Sequence, residues 1–213
     1  EMKYMTAKEE DILTNPNYIA NGTVIDKILQ ALIISPGVDY SDLVIGDQNA
    51  VMIAARILGY GKEYHFEYDG RQQTVDLTTL EDKEFDVSLI TPHVNEFTYT
   101  LPHSKTQLTF KILTIGDGTK IKRELEGLKK INKENSSERS TRLKHIITSV
   151  NGDREIGTIR SFVDTTLLAR DAKALRDYVS QIQPDINLIV PVETRNGEED
   201  VTLPITTNFF WPE

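Results

Sequence analysis

Between Glu63 and Asp76 the chain reads EYHFEYDGRQQTVD, alternating on either side of the dipeptide Asp69-Gly70. That dipeptide suits a two-residue hairpin turn, because both central positions need positive φ. Alternation then fixes which side chains share a face, so this stretch excludes an all-helical fold. Near the other end, INLIVPVETRNGEEDVTLPIT repeats the pattern around Asn196-Gly197. A third β stretch, NEFTYTLPHSKTQLTFKILT, is expected to pair Phe97–Leu101 with Gln107–Leu113 across a loop holding Pro102 and His103.

Elsewhere the apolar period is helical. Thr6 and Glu9 form a capping box for a short helix through Leu13, and Asn15-Pro16 starts another turn. Val24, Ile25, Ile28, Leu29 and Leu32 line one face of a helix from Thr23 to about Ile33, which the SPG at Ser35–Gly37 stops. Asp47 is read as the cap of a buried helix, QNAVMIAARILGYG, ended by Gly59 and Gly61. After Gly116, Ile121, Leu125, Leu128 and Ile131 mark a further helix. Leu143, Ile146, Ile147 and Val150 mark the next, and Ile156, Ile159, Phe162 and Val163 another. Asp171 is read as the cap of a last helix buried along Leu175, Tyr178, Val179 and Ile182 and terminated by Pro184. Helices followed by a D-G or N-G hairpin thus occur twice. The expected fold class is α+β, helices packed with antiparallel β-hairpins, either in two unequal lobes, residues 5–117 and 118–213, meeting near Gly116–Gly118, or as one continuous domain.

The 213 residues are 38% apolar and 27% charged, enough for a real core and unlike a disordered chain. No stretch is apolar for long enough to span a bilayer. EMKYMTAKEED lacks the apolar run of a signal peptide, so the protein is expected to stay in the compartment where it is made. The chain has no cysteine, which removes disulfides, thiolate catalysis and Cys-ligated zinc. His65, His93, His103 and His145 form no local ligand pair, so no metal or cofactor is expected. TIGDGTKIK has glycines and a lysine ahead of a helix but not the Walker spacing, and reads as a turn. No nucleophile elbow or zinc-protease motif occurs, and acidic pairs such as Glu9-Glu10 carry no information in a chain this acidic.

Charge distribution says more. From Thr119 to Lys144 nine Lys or Arg face four Glu, a balance of +5, leaving −14 for the rest of a chain whose formal charge is −9. The segment is either a solvated helix face or a docking patch for an acidic protein surface. Single-stranded nucleic acid would want aromatic platforms between the cations, and the segment has none. A second cluster sits at the end, where PITTNFFWPE gathers Phe209, Phe210 and Trp211 before Pro212. Burying each ring is worth roughly 2–3 kcal/mol, against ~5–15 kcal/mol for a whole domain. The tail therefore either folds back onto its own core or inserts into a partner.

Four segments, MTAKEEDILTNP, GDQNAVMIAARILGYGKEY, ARDAKALRDYV and LPITTNFFWP, resemble, in this order from Met5 to Pro212, the small baseplate hub proteins of T-even-type contractile-tailed phages. Met5 resembles the family's usual start, with Glu1–Tyr4 as an extension. The resemblance implies a non-enzymatic phage protein, hub subunit or hub assembly chaperone, present in the host cytoplasm during assembly or in the virion tail baseplate. Its implied partners are hub and tail proteins, not nucleic acid or membrane, with self-association open. Many relatives carry Cys-x-x-Cys-type pairs in the two hairpins, which suggest zinc knuckles. Here those places read YDGRQQ and ETRNGEE, so the turns must close the hairpins without metal. The expected contact residues are Phe209, Phe210, Trp211 and Pro212, with Lys120, Lys122, Arg123, Lys129 and Lys130 on the basic face. Two rivals remain open: a nucleic-acid-binding module on residues 119–144, and an enzyme of unrecognised type.

Overall fold

The computed structural model describes residues 1–84, 89, 91, 94–131, 137–195, 197–205 and 209–210. The fold is α+β, built from helices and small antiparallel sheets. Two compact units divide the chain. The first comprises Glu1–Tyr40, Gly46–Lys83 and Asp185–Glu213; the second comprises Ser41–Ile45 and Glu84–Pro184. This corrects the expected boundary near Gly116–Gly118. The closing hairpin belongs with the N-terminal helices, and the middle β stretch belongs with the helices that follow it.

In the first unit, α1 (Ala7–Leu13), α2 (Pro16–Ala20) and α3 (Val24–Leu32) begin close to where the sequence places them. Thr6 donates through both its amide and its hydroxyl to Glu9, at 3.0 and 2.5 Å. Lys3 adds a 2.8 Å ion pair to the same carboxylate. The Lys3 bond, then those from Thr6, hold the Glu9 carboxyl at about 2. The Asn15 side chain accepts from the amides of Asn17 and Tyr18, satisfying donors that the first turn of α2 leaves unpaired. Residues 1–3 are tied down as well: Lys3 N donates to Leu32 O and Ile34 N to Glu1 O.

The next helix, α4 (Ile45–Tyr60), starts two residues before the expected cap. Asp47 lies inside its first turn, where a carboxylate suits the helix dipole, and does not cap it. As its composition implies, most of α4 is covered, and Ala50 is its one exposed residue. Arg56 is buried with it; the guanidinium donates to Gly61 O at 2.9 Å and to Glu63 O at 3.0 Å. Those bonds fix the exit of α4 into β1 (Glu63–Tyr68).

β1 pairs with β2 (Arg71–Asp76) in the register the D-G turn dictates, with Asp69 at φ 51° and Gly70 at φ 70°. β6 (Ile189–Thr194) pairs with β7 (Gly197–Thr202). Thr194 faces Gly197 across that turn, so the glycine opens β7 and is not part of the turn. This is one residue earlier than expected; Asn196 itself lies outside the described residues. The two hairpins meet side by side. Gln73 Nε2 donates to Glu193 O at 2.8 Å, Glu193 N donates back to the Gln73 side chain at 3.3 Å, and Arg195 N donates to Asp69 Oδ2 at 3.4 Å.

The second unit holds a three-stranded sheet, β3 (Phe97–Thr100), β4 (Gln107–Phe110) and β5 (Ile147–Val150), in that spatial order. Four helices complete it: α5 (Ile115–Ile131), α6 (Glu138–Ile146), α7 (Ile156–Thr165) and α8 (Ala169–Ile182). The β5 strand corrects the sequence reading, which put Leu143 to Val150 on one helical stripe. The helix stops at Ile146, and the β-branched residues that follow pair with the open edge of β4, with a bulge at Thr109/Phe110. Asp171 is likewise not the cap of α8. It is fully buried within the first turn, and its carboxylate accepts from the amides of His103 and Ser104, each at 2.9 Å. Burial raises its pKa, but those amide bonds outweigh it and leave the carboxyl below its ordinary range. The link pins the β3–β4 loop to α8.

Candidate interaction surface

The cationic face is carried by α5, and its inner side explains its placement. The helix begins inside the glycine-rich stretch that reads as a turn. Thr114 N donates to Asp117 Oδ2 and Asp117 N donates to Thr114 Oγ1, both at 3.2 Å, a capping box with aspartate in place of glutamate. Lys111 pairs with the same carboxylate at 2.7 Å. Burial alone would raise the Asp117 pKa; Lys111 and the Thr114 amide outweigh it and hold it below its ordinary value. Gly116 sits in this first turn because a Cβ there would lie 3.0 Å from Ser41 O. Ile121, Leu125 and Leu128 follow at helical spacing, with Ile121 buried and the two leucines half-buried.

Glu124, on the same inner side, anchors the helix. Arg160 of α7 grips it with two parallel bonds of 2.7 and 2.9 Å, and His145 Nε2 of α6 lies 3.0 Å from Oε2. The Arg160 bonds chiefly, aided by His145, overcome burial and hold the Glu124 carboxyl at about 2. One carboxylate thus fastens three helices.

With that side committed, the outer arc is left to cations. Lys120, Lys122, Arg123, Lys129 and Lys130 are all exposed, and Glu126 is the exposed carboxylate among them. Lys120 lies 3.8 Å from Asp117. Lys122, Arg123, Lys129 and Lys130 form no ion pair among the described residues. Ile131, 86% exposed, ends the helix beside them. In the rest of the basic segment, Arg142 pairs with Glu138 at 3.0 Å, and Lys144, only 14% exposed, pairs with Asp164 at 2.7 Å, whereas Arg139 of α6 is exposed and forms no ion pair among the described residues. Most of the unpaired cations expected over Lys120–Lys144 are therefore on α5. Lys133 lies outside the described residues.

The tail divides too. Phe209 and Phe210 are both 0% exposed. Phe209 meets Tyr64 of β1 edge-on with centroids 4.9 Å apart, and Phe210 meets Phe209 at 5.2 Å. The Tyr64 hydroxyl donates to Pro204 O at 2.8 Å, holding the chain just before them. These two residues are corrected from contact anchors to core: a ring without exposed surface offers nothing to a partner. Trp211 and Pro212 lie outside the described residues.

The described histidines have separate partners or places in the fold. His65 Nδ1 is 2.8 Å from Thr74 Oγ1 across the β1–β2 hairpin, His103 sits in the β3–β4 loop, His145 meets Glu124, and His93 lies outside the described residues. Among the described residues no group of three or more His, Asp or Glu could hold a metal ion, and no helix is long and apolar enough to cross a membrane. Two features here went unread in the sequence. The T-x-x-D box is masked by the glycines and lysine around it, which suggest a turn ahead of a helix. The anchoring role of Glu124 was legible in principle, since it lies three residues after Ile121 on the buried side. Compared with models of protein families, with curated proteins and with solved structures, the chain matches none.

Proposed function

We propose that this chain is a phage tail baseplate hub protein, a structural subunit or an assembly chaperone, and that it works by contact with other proteins, not by catalysis. The family reading is supported by the four sequence segments that resemble T-even-type hub proteins. The observation that carries the mode of action is the outer arc of α5: five exposed cations against Glu126, on a chain whose formal charge is −9. Lysine and arginine side chains left unpaired on a clamped, rigid helix favour an acidic protein surface by complementarity and raise its association rate. On this reading the protein acts in the host cytoplasm during tail assembly or remains in the baseplate, and hub and tail proteins are its partners.

The test is capture of purified hub and tail proteins of a T-even-type phage by the full chain and by the Lys122→Glu/Arg123→Glu/Lys130→Glu variant. These positions are exposed, so an unchanged circular dichroism spectrum is the expected folding control. Retention by the natural chain and its loss in the variant support the proposal. Equal capture by both would refute the α5 assignment. Retention of DNA or RNA with a steep salt dependence, and of no protein, would favour a nucleic-acid module.

A further inference from the structure

Besides α5, the chain carries an acidic face on the β6–β7 hairpin. In the β6–β7 register Glu193 stands directly opposite Glu198, and Pro191 opposite Asp200. Strand alternation puts Glu193, Glu198 and Asp200 on one side of the hairpin, and the buried Val190, Val192 and Val201 on the other. All three carboxylates are exposed, and among the described residues no Lys or Arg pairs with any of them. Like charges directly across a strand pair weaken it. A hairpin that keeps such a pair gains when a cationic surface covers it.

We propose that the acidic face of β6–β7 in one copy of this chain seats against the cationic arc of α5 in a second copy. The inference rests on the reading of α5 as a contact surface and goes further by naming the occupant. The dimensions agree. Cross-strand neighbours lie about 5 Å apart and alternate residues on a strand about 7 Å, so the three carboxylates form a patch about 7 Å across. On α5, Arg123 and Lys130 are separated by a rise of about 10 Å, and Gly127 between them carries no side chain to block approach. Flexible lysine and arginine stems close the remaining difference. The pairing joins two different faces, so a pair that does not close on itself leaves each copy with one unused face. Attraction between patches must overcome repulsion between molecules of like net charge, so the association is confined to low ionic strength.

Sedimentation equilibrium of the full chain tests this. In about 50 mM salt the average mass should rise above the monomer with concentration, and in about 500 mM salt it should return to the monomer. The α5 variant Lys122→Glu/Arg123→Glu/Lys130→Glu and the hairpin variant Glu193→Lys/Glu198→Lys/Asp200→Lys should each self-associate at least about tenfold more weakly, a change of ~1.4 kcal/mol. Mixed together they should associate with each other, since the α5 variant supplies an intact acidic hairpin and the hairpin variant an intact cationic α5. A natural chain that stays monomeric in low salt overturns the inference, whatever the variants do. So does a mixture that recovers nothing while the natural chain associates. If the α5 variant loses hub-protein capture while both variants self-associate normally, the α5 contact stands and this occupant is wrong.

Discussion

Replacing Phe209 by alanine tests whether the tail is core. The ring is fully buried and touches Tyr64 and Phe210 edge-on. Emptying such a site costs about 3–5 kcal/mol, the sum of lost transfer free energy and the cavity left behind. Of this, about 0.5–1.5 kcal/mol belongs to each edge-on aromatic pair. Phe209→Leu, which refills most of the volume, should lose much less. Tyr64→Phe, which removes the hydrogen bond to Pro204 O, should cost about 1 kcal/mol. Ending the chain at Asn208 deletes both rings, and because they touch, its effect will differ from the sum of the single substitutions. Urea unfolding followed by circular dichroism measures each, and amide exchange in β1 locates the damage in the first unit. If Phe209→Ala moved stability by less than about 1 kcal/mol, with β1 protection unchanged, the burial argument for the tail would fail. The same numbers bear on capture experiments. Truncation removes core rings of the first unit along with the tail, so the exposed α5 substitutions are the cleaner probe.

Further outcomes follow from the interior of each unit. Gly127→Ala, on the open side of α5 with nothing within 4 Å of the new methyl, should stabilise by about 0.5–1 kcal/mol. Gly116→Ala, whose methyl would meet Ser41 O at 3.0 Å, should destabilise by about 1–2 kcal/mol; thermal melts of the two give opposite signs. Glu124 and Glu9 are both held at about 2, so each contributes stability that is complete above the ordinary carboxylate range of about 4.5 and is lost as pH falls towards 2. Glu124→Gln should remove about 1–2 kcal/mol near neutral pH, discounted for a pair that solvent still reaches, and flatten that part of the acid-unfolding curve. Arg56→Met should cost about 2–4 kcal/mol in urea unfolding, because the Gly61 and Glu63 carbonyls lose a buried charged donor.

Local chemistry explains what was legible beforehand. Asp69-Gly70 defined its hairpin because a positive φ at two successive residues is a short-range demand met inside the turn. Asn15-Pro16 and Thr6/Glu9 placed their helix starts for the same reason. What escaped depended on distant partners. Ile147 to Val150 carry apolar spacing that suits a helix, and only the open edge of β4, nearly forty residues earlier, makes them a strand. Asp171 looks like a cap in isolation because the amides that claim it belong to the β3–β4 loop. The unit boundaries were misplaced because the closing hairpin rejoins segments over a hundred residues away, through Gln73 and Glu193. The cations of residues 119–144 were visible as charge, but that Lys144 of α6 pairs inward depended on Asp164, beyond the segment itself.

The way the chain threads its two units has a consequence for its synthesis. Everything the second unit requires has been translated once Pro184 is made, whereas the first unit still lacks β6, β7 and the two phenylalanines that cover Tyr64. The N-terminal helices and the β1–β2 hairpin must therefore wait, with Tyr64 uncovered, until Phe210 has been made and has left the ribosome's exit tunnel. A message cut short before those codons would yield a molecule with its second unit complete and its first unit open.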